Sequence, residues 1–148
     1  MDYKWINGKA GFNEAFKVRK AVFVEEQKVP EFLERDEFDD HAQHLLVYDN
    51  DIPIATGRLF NDGNHFKLGR ICVLKPYRGM ELGRSLMERL LEKAQGAGVE
   101  RLYLDSQVSA IGFYRKFGFK EYGNTFDDAG IDHVSMVKIC RPSYFSNL

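Results

Sequence analysis

Leu68-Gly-Arg-Ile-Cys-Val-Leu-Lys-Pro-Tyr-Arg-Gly-Met-Glu-Leu-Gly-Arg-Ser-Leu86 is a short apolar strand that breaks at a Pro/Gly-containing turn and runs straight into an amphipathic helix. The first peptide N–H groups of a helix have no intrahelical partner and point outward, and the macrodipole adds positive potential at the same place. Arg78 and Arg84 flank the turn with fixed charge, while Gly79 and Gly83 let a diphosphate come close to the backbone. The ligand that suits this junction is anionic, a nucleotide-type diphosphate before others. The stretch carries neither the Gly-Lys-Ser/Thr of a P-loop nor a G-x-G-x-x-G placed after a first strand.

Outward from the junction, the helix places Leu82, Leu86, Met87, Leu90, Leu91 and Ala94 at three- and four-residue spacing and stops at Gly96-Ala-Gly98. Upstream, strands at 43–48 and 52–60 flank Asp49-Asn50-Asp51, and Asp62-Gly63-Asn64 turns into a third strand at 65–73. A first strand at 2–7 and a helix at 11–24 precede this meander, and Pro30 ends the helical pattern. Residues 31–40 hold six acidic side chains against one Arg, which reads as a solvated loop or as an attractor for a cationic substrate. Downstream come a strand at 101–105, a helix capped by Ser109 and running to Lys116, a stop at Gly118, a strand at 119–122 and a last strand at 133–140. Helices interleaved with a mostly antiparallel meander predict an α/β (α+β) fold around a mixed sheet.

Composition sets the limits. A chain of 148 residues, 44% hydrophobic and 29% charged, suits one globular domain over residues 1–148. A formal net charge of -1 argues against a nucleic-acid partner. Cys72 and Cys140 lack metal or redox spacing, no metal site is expected, and no apolar run approaches a membrane span. The polar start Met1-Asp-Tyr-Lys-Trp-Ile6 lacks a signal-peptide core, so a soluble, cytoplasmic protein is expected, with no membrane partner.

Arg78-Gly79-Met80-Glu81-Leu82-Gly83 resembles the acetyl-CoA signature of the GNAT superfamily of N-acetyltransferases, Gln/Arg-x-x-Gly-x-Gly/Ala. Gln107-Val-Ser-Ala-Ile-Gly-Phe-Tyr-Arg-Lys-Phe-Gly-Phe119 resembles the family segment Asn-x-x-Ala-x-x-x-Tyr-x-x-x-Gly-Phe, and residues 18–30 and 126–136 resemble its small bacterial ElaA-like branch. The order of elements is similar to the GNAT fold throughout, a single domain with helices on both faces of the sheet. Two positions depart from the pattern: Glu81 replaces the middle glycine, and Gln107 replaces the usual Asn. A glutamate there would be strained if the turn needs positive φ, and its carboxylate must turn away from a diphosphate.

The resemblance implies acetyl-CoA as cosubstrate, with no metal, and a primary amine on a small molecule or peptide as acceptor; oligomeric state stays open between monomer and homodimer. It implies a cofactor site made of the turn Arg78, Gly79, Met80, Glu81, Leu82, Gly83 and Arg84, the pantetheine edge Ile71, Cys72 and Val73, and Gln107. By position the Val73 N–H is the donor to the thioester oxygen, and Tyr114 is the acid for the leaving sulfur. A phenol titrates near 10, so it keeps its proton at neutral pH. On the residues alone Tyr114 also reads as a core aromatic, and Gln107 as a loop cap. An alkylamine is mostly protonated in water and needs a base; Glu25, Glu26 and His133 are the candidates, each of which also reads as a surface or helix-end residue. Cys72, inside an apolar strand, packs rather than attacks, which favours direct transfer. A non-catalytic acyl-CoA-binding module and a flavin or nucleotide-phosphate binder are the competing readings.

Overall fold

The computed structural model describes residues 1–140. In chain order the elements are β1 (Asp2–Asn7), α1 (Lys9–Arg19), a π-helical turn (Lys20–Glu26), α2 (Glu31–Glu34), a 3-10 turn (Glu37–Asp40), β2 (Gln43–Asp49), β3 (Ile52–Asn61), β4 (Phe66–Val73), α3 (Leu82–Gly96), β5 (Arg101–Gln107), α4 (Ile111–Arg115), β6 (Lys120–Asp128) and β7 (Ile131–Ile139). Among the described residues the strands form one sheet in the order β1-β2-β3-β4-β5-β7-β6. Every pairing is antiparallel except β4 with β5.

β3 explains how the two faces are covered. Strand side chains alternate, so Ala55 and Leu59 join Leu86, Met87 and Leu90 of α3 in one apolar cluster. Gly57 lies between them, where a Cβ would stand 3.0 Å from Leu90 Cδ1, so the helix seats only because that position is bare. Arg58 points the other way and reaches Asp39, which also binds Arg19 of α1. Each fully buried leucine of α3 contributes roughly 1.5–3 kcal/mol, so this helix anchors the sheet beneath the turn that precedes it.

The feature that makes a site is a split. β4 and β5 pair only at Phe66↔Leu102 and Lys67↔Tyr103. Beyond that, Arg70 and Ile71 together face Gly57, between the pairs Arg58↔Gly69 and Thr56↔Cys72, and Arg70 takes φ 52. A bulge bends its strand and interrupts the ladder. The two halves of the sheet therefore diverge toward the end at which β4 meets α3.

Several elements differ from their sequence reading. The helix expected at 11–24 is α1 followed by a wider turn, in which the Gln27 N–H reaches the Val22 carbonyl at 3.1 Å. Ser109 caps nothing: it lies within a 3-10 turn over Val108–Ala110, and neither that turn nor α4 has a side-chain cap. β6 runs to Asp128, beyond the expected 122, and folds back through Ala129 and Gly130 at φ 54 and 84. It is exposed nearly throughout, so no burial alternation marks it. No helix among the described residues is long and apolar enough to cross a membrane.

Candidate active site

The cleft lies in the split. Its walls include Phe23 from the π-helical turn and Gln27 just after it, Ile71, Cys72 and Val73 from β4, Arg78 from the turn, and Gln107, Tyr114 and His133 from the opposite half. The Leu74 N–H donates to the Ile54 carbonyl at 2.9 Å, so its neighbour Val73 turns its own N–H and carbonyl away from β3 and into the split. The Val73 carbonyl accepts from Arg78 Nε at 3.0 Å.

At the end of the cleft, Gly79 has φ 83 and Glu81 φ 59, and α3 begins without any side-chain cap. Its first intrahelical bond runs from the Ser85 N–H to the Glu81 carbonyl, which leaves the N–H groups of Leu82, Gly83 and Arg84 outside the helical ladder. The Leu82 side chain is buried, Met80 and Glu81 face solvent, and a Cβ on Gly83 would meet the Phe113 ring at 3.4 Å. Arg84 binds Glu88 at 3.0 Å and stands 4.0 Å from Glu81. Arg78 forms a bidentate pair with Glu26, Nη1 at 2.9 Å and Nη2 at 2.7 Å. Both oxygens of Glu26 are thereby taken by a cation, and Glu25 lies exposed outside the cleft.

Across the split, Tyr114 sits on α4 against Phe113 and Phe119. Burial pushes its phenol up to about 12, with Cys72 adding a smaller effect in the same direction. Burial likewise pushes the Cys72 thiol well above the usual thiol range, which removes it as a nucleophile. The Gln107 amide donates to Gln27 Oε1 at 2.8 Å, so this side chain bridges the cleft rather than capping a loop. Gln27 escaped the sequence reading because nothing in Val24-Glu-Glu-Gln-Lys marks one polar residue over the others. His133 pairs with Gln107 across β5 and β7, and its Nδ1 lies 2.7 Å from the Ile131 carbonyl. A carbonyl only accepts, so Nδ1 carries the proton and Nε2 is left as the acceptor of the neutral ring.

An open strand edge leads into an uncapped helix start, and the half-buried Tyr114 stands opposite that edge. Residues 10–140 match the acetyltransferase (GNAT) domain family. The chain belongs to that family. It is 43% identical over 141 residues to the uncharacterized protein YyaT of Bacillus subtilis, covering 93% of this chain and 95% of that one. The crystal structure of Escherichia coli ElaA superposes with a TM-score of 0.84 at 26% identity, over 93% of this chain and 99% of the other. An acyl-CoA N-acyltransferase from Pseudomonas aeruginosa gives 0.83 at 26% identity, over 93% and 98%. Acyl transfer is the chemistry of this GNAT domain.

The other half of the cleft belongs to the acidic run, and here the sequence expectation is corrected. Glu34 and Asp39 are buried and Asp36 is half-buried, all three inside the fold against Arg19, Arg58 and Arg70. Arg19 donates to Glu34 Oε1 at 2.8 Å and Asp39 Oδ1 at 2.6 Å, and Arg58 donates to Asp36 at 2.6 Å and Asp39 at 2.8 Å. Burial pushes the Asp39 carboxyl up, but the bonds and charge of Arg19, with help from the Asp36 N–H and Arg58, outweigh it and hold the group at about 2. These carboxylates are matched by internal cations and do not serve as a free acidic surface. Half of the run's charge was paired with arginines distant in sequence, and no local pattern announces that.

Proposed function

We propose that this GNAT domain transfers an acetyl group from acetyl-CoA to a primary amine by direct attack within a ternary complex. The observation that supports the reading is that Val73, Arg78 and Tyr114 line one cleft, while the uncapped start of α3 follows Arg78 directly along the chain. The free N–H groups of Leu82, Gly83 and Arg84, together with the Gly79, Met80 and Glu81 backbone, suit a diphosphate. Ile71, Cys72 and Val73 offer a strand edge to the pantetheine, and the Val73 N–H stabilises the negative charge that develops on the thioester oxygen. His133 Nε2 takes the proton of the attacking amine. The C–N bond forms, the C–S bond breaks, and the Tyr114 hydroxyl hydrogen-bonds and protonates the departing sulfur. Burial that raises the phenol also disfavours a free thiolate in the same place, which makes the leaving sulfur a better proton acceptor there than in water. Thiol release from acetyl-CoA over a panel of amines tests the reading; binding without turnover would leave the non-catalytic acyl-CoA module.

Arg78 must leave Glu26 to meet a diphosphate. A hydrogen bond to a charged group contributes roughly 1.5–3 kcal/mol and an exposed ion pair at most about 1. Arg78→Ala is therefore expected to weaken acetyl-CoA binding by about 1–2 kcal/mol in titration calorimetry, and unchanged affinity would place the diphosphate elsewhere. Glu81→Gly is expected to tighten the same binding. It removes a carboxylate beside the diphosphate; relief of the left-handed residue, a conformation that costs an L-residue roughly 1–2 kcal/mol, goes to the stability of the fold. Weaker binding in that variant would mean that Glu81 holds Arg84 in place.

A further inference from the structure

The charges of the buried lattice beside the cleft cancel, three arginines against three carboxylates, but its hydrogen bonds do not. A guanidinium has five N–H donors and no acceptor. Arg19 engages all three of its nitrogens: Nε on Glu34, Nη1 on Asp39, and Nη2 on Asp39 and the Glu34 carbonyl. Arg58, 3% exposed, binds Asp36 and Asp39 through Nη1 and Nη2, and its Nε is buried with no partner among the described residues. Arg70 binds Glu34 and Asp36 through Nε and Nη2, and its Nη1 makes no bond among the described residues. Arg58 and Arg70 both line the cleft.

The acceptors are more fully used. Asp36 takes two bonds from Arg58, one from Arg70 and one from the Phe38 N–H. Asp39 takes bonds from Arg19, Arg58 and the Asp36 N–H. Glu34 takes bonds from Arg19 and Arg70 at Oε1, and its Oε2 is outnumbered by the open Arg58 Nε and Arg70 Nη1, so the surplus on this wall is in donors, on permanently charged groups. Arg70 also holds φ 52 inside the bulge. A residue kept in a sparsely populated backbone region persists where its surroundings fix it, and such residues gather at ligand-binding positions. Here the β3 ladder and the bonds to Glu34 and Asp36 fix an arginine whose Nη1 is open and which, unlike Arg58, is partly exposed.

We infer that the acceptor amine also carries a carboxylate, received by Arg70 with Arg58 behind it, so that the substrate class is amino-acid-like rather than polycationic. A carboxylate is the group that accepts paired N–H bonds from a guanidinium. The inference rests on the transferase reading of the cleft, and the chemical step is unchanged: the amine nitrogen gains the acetyl group, its proton goes to His133, and CoA leaves as the thiol.

The test compares α-amino acids with their carboxamides and with the decarboxylated amines, measuring thiol release from acetyl-CoA. The wild-type protein is expected to favour each acid over its amide by roughly 10- to 100-fold in kcat/KM, the range for losing a hydrogen bond between charged groups. Arg70→Gln should bring that ratio close to one, and Arg70→Lys, which keeps the charge without the fork, should fall between. The ratio is taken within one protein, so a partly folded variant does not distort it. Amides and plain amines turned over as fast as acids by the wild type, or a ratio that survives Arg70→Gln, would overturn the inference while leaving the transferase intact. If no amine is acetylated, the transferase reading fails on its own, and calorimetry of the CoA-saturated protein with N-acetyl amino acids and their amides decides the carboxylate site. Equal affinities there would also overturn it.

Discussion

Tyr114→Phe is expected to lower kcat roughly 10- to 1000-fold while acetyl-CoA affinity stays close to that of the wild type. The substitution keeps the ring that packs against Phe113 and Phe119 and deletes only the hydroxyl. That hydroxyl makes no hydrogen bond to any other described residue, so its loss leaves no orphaned partner and little cost in folding. The loss therefore falls on the chemical step, where the sulfur must leave with a proton. Pre-steady-state thiol release together with calorimetry separates the two effects. Turnover within a factor of about two of the wild type would remove Tyr114 from the chemistry and assign the proton to water.

Asp39→Ala is expected to destabilise the fold by about 3–5 kcal/mol, the usual effect of leaving buried charges without their partner. Arg19 and Arg58 converge on Oδ1 of this fully buried carboxylate, so one truncation takes a charged partner from two buried guanidinium groups, leaving them Glu34 and Asp36. The pH dependence follows from the same contacts. The folded state holds Asp39 at about 2, below its ordinary value near 4, so its stabilisation is complete above about pH 4 and is lost as pH falls toward 2. Asp36 acts in the same direction, because Arg58 and Arg70 outweigh the opposing effect of burial. His44 begins the loss earlier: burial lowers its imidazole below the ordinary value near 6.5, so the unfolded chain binds its proton first. Urea midpoints measured across pH should decline gently below about 6.5 and steeply below about 4, and Asp39→Ala should flatten the steeper limb. A variant whose midpoint falls as steeply as that of the wild type between pH 4 and 2 would show that other carboxylates carry the acid sensitivity.

What was legible in the sequence follows the range of the interactions involved. β1 is recovered at its observed limits, and α3 is marked by its apolar stripe and its glycine stop, because local periodicity and turn residues determine both. The turn from β4 into α3 is legible for the same reason, as a glycine-bearing junction between a strand and a helix. The lattice is not. Arg19, Arg58 and Arg70 lie on three elements, and a run of acidic residues looks alike whether solvent or buried arginines neutralise it. The bridge between Gln107 and Gln27 spans 80 residues and leaves no trace in either neighbourhood. β6 is legible only as far as residue 122, because an exposed strand lacks the alternation by which strands are recognised.

The short seam between β4 and β5 has a consequence for association between molecules. An unpaired strand edge is a template for another chain and so an aggregation hazard. The split gives this domain such edges in its interior as well as at its rims. Natural sheets guard an edge with bulges and inward-pointing charge, and this one has both in a single residue, Arg70, at the bulge and beside the opening. The irregularity that opens the slot thus also sets a charge beside the edges it exposes, and that charge discourages a neighbour's strand from pairing there.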